Sequence, residues 1–204
     1  LSHYYVQQLL AAAGIQIVKE EVSDNKRVLL RKAEEIGYPV VAKVVGPVHK
    51  TDIGGVVVNI QSKKHLAFEF DRMMKLPDVS AVMIQPMLQG KELFVGAKYE
   101  PRFGHVILCG LGGIFVEILR DIASGLAPLS HSEAFSMIHS LRAYKMFRGV
   151  RGEAPIDEVQ FAEIIVRLST LLRFATEIKE MDINPLLATS QGIIAVDARI
   201  RVEK

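Results

Sequence analysis

A single lysine, Lys43, stands inside the apolar run VVAKVV, and a charged stretch with paired glycines, GPVHKTDIGGVVVN (46–59), follows it. A lysine in a buried strand is costly unless its charge is paired. Either the side chain reaches past the strand to an acidic neighbour, or it binds phosphate. Gly54 and Gly55 favour phosphate, because glycines allow close backbone approach and consecutive amides can point at anionic oxygens.

Three side chains with oxygen donors occur near the C-terminal end. The segments MDINPL and AVDARI place Asp182, Asn184 and Asp197 near the facing ends of a predicted hairpin. Asp182 and Asn184 share one strand face, while Met181 and Ile183 take the other. Such ligands suit Mg²⁺, which takes one or two protein oxygens and completes its shell with phosphates and water. The alternative is that Asp and Asn beside proline only form turns.

The composition restricts the class of protein. A chain of 204 residues, 50% apolar and 24% charged, is long enough for one good core or two small lobes sharing a cleft. A net charge of +2 indicates no basic surface for nucleic acid. No apolar run reaches the roughly 20 residues that cross a bilayer. The single cysteine, Cys109, is interpreted as a small buried hydrophobe, and a reducing, cytoplasmic setting is expected.

The first half alternates between predicted strands and helices. This alternation predicts one small α/β lobe. Its elements are a helix over 2–13, a half-buried strand IQIVKEEV, a helix over 25–36, strands VVAKVV and VVVNI, a helix near 63–75 and a strand VSAVMIQPML. The segment PMLQG then interrupts the pattern, which places the lobe boundary within 86–90.

The second half predicts a second lobe. KELFVGAKYEP and RFGHVILCGLGG indicate two strands joined by a tight turn at 100–104. Ser130 with Glu133 forms a capping box for a helix through about Tyr144, and Asp157 caps a helix to about Ala175. The motif GLGG lacks the spacing of a dinucleotide site, and no P-loop motif occurs. A phosphate lysine in one lobe and metal ligands in the other suggest a cleft that clamps a nucleotide.

Several motifs together carry a family resemblance. The segments HKTDIGGVVVNI, IQPML with KELFVGAKYEPRFG, GLGGIFVEILRDIA, GVRGEAPID, and EMDINPLL with GIIAVDARI resemble the ATP-grasp domain of ADP-forming acetyl-CoA synthetases, relatives of succinyl-CoA synthetase. The resemblance covers essentially the whole chain, in order. It is to the β subunit, or to the C-terminal part of single-chain versions. It implies an ATP-grasp fold, an α/β (α+β) architecture with lobes at 1–88 and 89–204 that hold ATP or ADP and Mg²⁺ between them.

The resemblance also implies residue roles. His49 matches the family's phosphohistidine, which carries phosphate between sites, and this accounts for the charged, glycine-flanked loop. Lys43 matches the lysine on the nucleotide phosphates. The remaining matches are Gly54 and Gly55 in the loop, Gln85, Pro86, Met87 and Leu88 in an interlobe hinge whose backbone meets adenine, Glu92 at the ribose hydroxyls, and Asn184 and Asp197 as Mg²⁺ ligands.

The implied activity is that of an acid–CoA ligase (ADP-forming). Acyl-CoA, phosphate and ADP would give acid, CoA and ATP through an acyl phosphate and a phosphohistidine. The CoA-binding α portion would be a separate subunit or a missing N-terminal part, with no nucleic acid or membrane partner. Two alternatives are a noncatalytic ATP-grasp module of a protein acetyltransferase and a purely structural module. Joint retention of His49, Lys43, Asn184 and Asp197 favours the ligase.

Overall fold

The chain divides into two compact units, each described by itself. The computed structural model describes residues 1–47, 53–113, 116, 118–149, 152 and 154–203. The smaller unit is Val18–Leu88, and the larger unit combines Leu1–Ile17, including helix α1 (His3–Ala12), with Gln89–Lys204. The sequence placed residues 1–17 with the first lobe, whereas in the structure they belong to the larger unit.

The smaller unit is a four-stranded antiparallel sheet with two helices. The strands lie in the order β1-β4-β2-β3. Its elements are β1 (Glu21–Ser23), α2 (Lys26–Ile36), β2 (Val40–Val45), β3 (Val56–Ile60), α3 (Lys63–Met73) and β4 (Ala81–Pro86). The expected strand IQIVKEEV is reduced to β1, and Ile17 forms only an isolated bridge with Ala195 of the larger unit.

One face of this small sheet packs on its helices. Leu29 of α2 and Phe70 of α3 share a core with Ala42 and Val44 of β2. Because side chains alternate along a strand, Lys43 lies on the opposite face. The helices are therefore a rigid support for the strand that carries Lys43.

The larger unit is a six-stranded antiparallel sheet with helices packed against it. Its strands run in the order β10-β8-β5-β6-β7, and β9 also pairs with β8. The elements after α1 are β5 (Lys91–Glu100), β6 (Gly104–Leu111), β7 (Ile122–Leu126), α4 (His131–Ser140), a 3₁₀ turn (Tyr144–Met146), α5 (Glu158–Phe174), β8 (Ile178–Thr189), β9 (Gly192–Ala195) and β10 (Ala198–Val202). The predicted turn at 100–104 and the closing hairpin are confirmed.

Helix α1 completes the core of the larger unit. Val6 and Leu10 of α1, together with Ile15, are buried in one cluster with Phe161 and Leu168 of α5. Burying these aliphatic side chains contributes roughly 1.5–3 kcal/mol each. This burial is the physical reason that residues 1–17 belong with the later part of the chain.

Helix α4 begins as the sequence predicted but ends earlier. The capping box of Ser130 and Glu133 is present. The helix stops at Ser140 rather than near Tyr144, because the buried Asp121 carboxylate accepts the main-chain N–H groups of Arg142 (2.9 Å) and Ala143 (2.8 Å). These two hydrogen bonds draw the chain out of the helix.

Two further expectations concern burial and hydrophobicity. Cys109 of β6 is fully buried, which raises the pKa of its thiol to about 12, so its interpretation as a buried hydrophobe is confirmed.

In the described parts of the chain, no helix has the length and apolar character needed to cross a membrane.

Candidate functional site

In the smaller unit, Lys43 and Gln85 share one sheet face. Across strands β2 and β4, Lys43 pairs with Met83 and Val41 pairs with Gln85. Because Lys43 and Val41 are two residues apart on β2, the side chains of Lys43 and Gln85 lie on the same face of the sheet. Lys43 is only 8% exposed and Gln85 1%, and the Gln85 amide donates to a carboxylate oxygen of Glu20 (3.0 Å). A buried ammonium beside polar groups is suited to an anionic ligand. Glu20 was not singled out from the sequence.

The paired glycines, Gly54 and Gly55, lie beside the last residues of β2, just after Lys43. The carbonyl oxygen of Gly55 accepts the N–H of Val44 (2.8 Å), so it is tied to the residue next to Lys43. Gly54 has a left-handed backbone (φ +68°), and its carbonyl oxygen accepts from the guanidinium of Arg72 on α3 (2.9 Å). The structure thus places Gly54 and Gly55 beside the end of the strand that carries Lys43, and their phosphate-binding role stays a prediction.

Of the predicted hinge residues, Gln85 and Pro86 end β4, and Met87 and Leu88 follow it. The N–H of Met87 donates to the carbonyl oxygen of Pro39 (3.0 Å) within the smaller unit. A main-chain contact to adenine would therefore come from another group of residues 85–88.

In the larger unit, Asn184 and Asp197 adjoin through the main chain. Asn184, on β8, donates its N–H to the carbonyl oxygen of Asp197 (3.1 Å), which lies between β9 and β10 rather than inside a strand. One carboxylate oxygen of Asp197 accepts the N–H of Ala198 (2.9 Å). An amide oxygen and a carboxylate at one place are hard donors that fit Mg²⁺.

Asp182 adds negative charge to this region. The pKa of the Asp182 carboxyl is raised, mainly because the group loses hydration. Arg199, which pairs with Asp182 across the two strands, opposes this shift, whereas the negative charges of Asp197 and Glu180 add to it. Since the residue as a whole stays exposed, the loss of hydration is partial. Repulsion among these carboxylates is the arrangement that a bound cation relieves.

The described residues do not by themselves form a complete metal site. Within the residues that the structure describes, no three His, Cys, Asp or Glu side chains converge as ligands. Asn184 with Asp197 would therefore hold Mg²⁺ only with oxygens from elsewhere, as expected where phosphates and water complete the shell.

Glu92 lies on β5 with its side chain exposed. Its carbonyl oxygen accepts the N–H of Gly112 (2.7 Å), in the GLGG segment whose spacing excluded a dinucleotide site. A contact of Glu92 with ribose hydroxyls, the role that the resemblance implies, stays a prediction.

Four of the six histidines bear on the search for a phosphate carrier. His49, the predicted phosphate carrier, lies outside the described residues. His105 is buried with its Nε2 2.6 Å from the carbonyl oxygen of Ile178, and His131 and His139 contact Glu163 (2.5 Å) and Glu158 (3.1 Å). These three histidines have ordinary structural partners.

Sequence reasoning missed Arg72. Its guanidinium also donates to Glu69 of the same helix (2.7 Å). The only local signal was the Glu–Arg spacing of three residues on a predicted helix, which commonly marks a surface ion pair.

Comparison with known families gives a match over nearly the whole chain. A family model described as an ATP-grasp domain matches residues 1–202. The chain is 40% identical over 204 residues to the acetate–CoA ligase (ADP-forming) I subunit beta of Pyrococcus furiosus, covering 95% of this chain and 88% of that subunit. It is 41% identical over 196 residues to the 4-hydroxybutyrate–CoA ligase (ADP-forming) of Nitrosopumilus maritimus, covering 91% of this chain but only 28% of that protein.

Solved structures of one further relative are also similar. A dinucleotide-forming acetyl-coenzyme A synthetase 1 from Ca. Korarchaeum cryptofilum, bound to coenzyme A and Mg-AMPPCP with its phosphohistidine segment pointing towards the nucleotide site, has a TM-score of 0.87 at 34% identity, covering 100% of this chain and 92% of that chain. With that segment phosphorylated and in its site I orientation, the TM-score is 0.88 at 32% identity, covering 98% and 92%.

Proposed function

The chain belongs to the ATP-grasp family, as the domain that matches the β subunit of ADP-forming acetyl-CoA synthetases, and from this premise we propose that it is the nucleotide-binding part of an ADP-forming acyl-CoA synthetase. One observation supports the proposal most directly: a main-chain hydrogen bond joins the backbones of Asn184 and Asp197, two residues whose side chains carry the kind of oxygen donor that Mg²⁺ takes.

The proposed reaction proceeds in three steps, one acyl transfer followed by two phosphoryl transfers. Phosphate attacks the thioester carbon of acyl-CoA, which releases CoA as its thiol and forms an acyl phosphate. A nitrogen of the His49 imidazole then takes the phosphoryl group, and the acid leaves as its carboxylate. Finally a β-phosphate oxygen of ADP takes the phosphoryl group, giving ATP and restoring His49.

The chain's own residues would bind and orient the nucleotide. The Lys43 ammonium offsets phosphate charge from a buried position, where such a contact is stronger than in water. Asn184 and Asp197 would hold Mg²⁺, which when bound supplies charge neutralisation at the phosphates. Glu92 would accept hydrogen bonds from the ribose hydroxyls, and the 85–88 stretch would contact adenine.

The proposal requires a partner. The chain spans 88% of the separate P. furiosus β subunit and 28% of the single-chain N. maritimus ligase, so the CoA-binding portion would be a separate subunit or another part of a longer protein. We place the complete enzyme in the cytoplasm, where acyl-CoA, phosphate and ADP occur together.

The test uses the chain combined with its CoA-binding partner. We expect His49→Ala to abolish ATP formation from acyl-CoA, phosphate and ADP, while Mg·ADP affinity stays within a few-fold. The exposed His131→Ala is the matched control and should retain activity. Labelled phosphate on His49 should be acid-labile and alkali-stable, as phosphoramidates are. Normal ATP formation by His49→Ala would refute the carrier role of His49 and leave the charged loop as an ordinary turn with solvated side chains.

A further inference from the structure

We propose that Arg72 is a positioning residue that fixes the C-terminal end of the segment carrying His49. It does so by holding the carbonyl group of Gly54 against helix α3. The inference rests on the proposed function of His49 as a phosphate carrier. It assigns to Arg72 control of the position at which the segment carrying His49 joins the sheet.

The contacts of Arg72 form a bridge between a helix and a loop end. Its Nη2 donates to the carbonyl oxygen of Gly54 (2.9 Å), and its Nε donates to a carboxylate oxygen of Glu69 (2.7 Å). The Glu69 side chain is only 12% exposed. Two hydrogen bonds from one planar guanidinium fix its direction as well as its position.

The helix that presents Arg72 is itself held in place. Phe70 and Met73, on either side of Arg72 in the sequence, are buried in the core of the smaller unit. A side chain on such a helix has a well-defined origin, because the core residues around it are closely packed. The Gly54 carbonyl is therefore tied to a rigid element.

Gly54 is the residue at which this restraint has most effect. It adopts a left-handed conformation (φ +68°), and glycine can leave it for many others at little cost. Gly55, next in the chain, is already fixed by its hydrogen bond to Val44. Without Arg72, rotation at Gly54 would change the direction in which the preceding segment leaves the sheet, even though β3 stays in place.

The other end of the segment is also fixed. Ser80 donates its main-chain N–H to the carbonyl oxygen of Val45 (2.9 Å). A β-carbon at Gly46 would lie 2.1 Å from the carbonyl oxygen of Asp78, so the backbone there is in close contact. The segment therefore has one end set by main-chain packing and the other end set by the Arg72 hydrogen bond together with Ile53, which packs against the core of the smaller unit.

Chain length then limits where His49 can act. His49 is the third residue after Gly46 and the fifth before Gly54. A fully extended chain spans at most about 3.6 Å per residue, so three residues reach at most roughly 11 Å from Gly46 and five residues at most roughly 18 Å from Gly54. A phosphate carrier that must reach two sites within such limits depends on the direction in which each end of its segment points. The Korarchaeum relative, whose segment has been observed in two orientations, presents the same requirement.

The test compares Arg72→Ala with Arg31→Ala, an exposed arginine on α2, in the chain combined with its CoA-binding partner. We expect Arg72→Ala to slow phosphate transfer through His49 by roughly ten-fold, the scale of a misplaced reacting group, with Mg·ADP affinity within two-fold of wild type. Arg31→Ala should leave both unchanged. Arg72→Lys, which can still donate to Gly54, should recover part of the rate.

A second variant and a second readout separate positioning from stability. Glu69→Gln keeps the size of the carboxylate but weakens its hold on Arg72, so it should slow transfer in the same direction and less. Hydrogen exchange of a peptide covering 53–58 should become faster in Arg72→Ala and stay unchanged in Arg31→Ala. A folded Arg72→Ala enzyme with the wild-type transfer rate would overturn the inference, as would equal losses of nucleotide affinity and transfer. If His49→Ala is inactive while Arg72→Ala is normal, only the role of Arg72 fails.

Discussion

Asn184 and Asp197 are joined by a main-chain hydrogen bond of 3.1 Å between the N–H of the first and the carbonyl oxygen of the second. This bond fixes the backbones from which an amide and a carboxylate project. The main chain thus sets the spacing of the two backbones, while one carboxylate oxygen of Asp197 already accepts the N–H of Ala198; a cation would bind through the other oxygen and the Asn184 amide oxygen.

Replacing Asp197 should therefore affect the metal more than the fold. Asp197→Asn keeps the size of the side chain but removes its charge. We expect Mg·ADP affinity to fall roughly 10- to 100-fold, the range seen when supports of a metal site are lost, with an unchanged melting temperature. Calorimetric titration with and without Mg²⁺ measures this, and the exposed Asp24→Asn is the control. Equal weakening of metal-free ADP binding would argue against Mg²⁺ at Asp197.

Lys43 should contribute through its charge. Lys43→Met preserves most of the apolar stem of a side chain that is 8% exposed, so the variant should fold. We expect nucleotide binding to weaken by about 1.5–3 kcal/mol, the scale of a charge-assisted hydrogen bond. The change should depend on the number of phosphates, with AMP least affected. Lys64→Met on the exposed face of α3 is the control, and unchanged ADP affinity in folded Lys43→Met would remove Lys43 from the site.

The N-terminus of α4 should make stability depend on pH. Hydrogen bonds from the Ser130 N–H and then its hydroxyl lower the pKa of the Glu133 carboxyl below its ordinary value of 4.5. A lowered folded-state pKa stabilises the protein above the unfolded-state value, and this contribution is lost as pH falls through the folded-state pKa. Glu133→Gln should thus be less stable than wild type at pH 7, and the difference should shrink below pH 4.5. Urea unfolding at several pH values, with Glu177→Gln as control, checks this; identical pH profiles for both variants would contradict it.

The single thiol should be unreactive in the native protein. With the pKa of Cys109 at about 12, only about one thiol in ten thousand is ionised at pH 8, and thiolate is the reactive form. A chromogenic disulfide reagent should label Cys109 slowly in native buffer and fully in urea, with Cys109→Ala as the blank. Complete labelling within minutes under native conditions would show that the β6 core opens readily.

Local signals in the sequence predicted much of the fold. The β-branched run at 40–45 is a strand, and Ser130 and Asp157 cap helices as their side chains indicate. For candidate residues, local pattern was enough to separate Asp182 and Asn184 from the buried Met181 and Ile183 on β8. These features depend on neighbours within one turn or one strand, which is why periodicity and capping reveal them.

Features that depend on distant contacts were not foreseen. An amphipathic pattern shows which face of α1 is buried but not that this face shares a core with Phe161 and Leu168 of α5. The early end of α4 requires Asp121, which no local rule connects to Arg142. Arg72 gains its importance from Gly54, on a different element, and a glycine carbonyl leaves no signal in the sequence.

The division of the larger unit between residues 1–17 and 89–204 also has a consequence during translation. Helix α1 is synthesised before Val18–Leu88, yet α5, whose Phe161 and Leu168 belong to the same core as α1, is made only after it. The inserted unit can thus fold on the ribosome while the apolar face of α1 stays exposed. A nascent chain stalled once Leu88 has left the ribosome should contain a folded insertion and an unfolded first helix, which makes α1 the segment that chaperones would encounter longest.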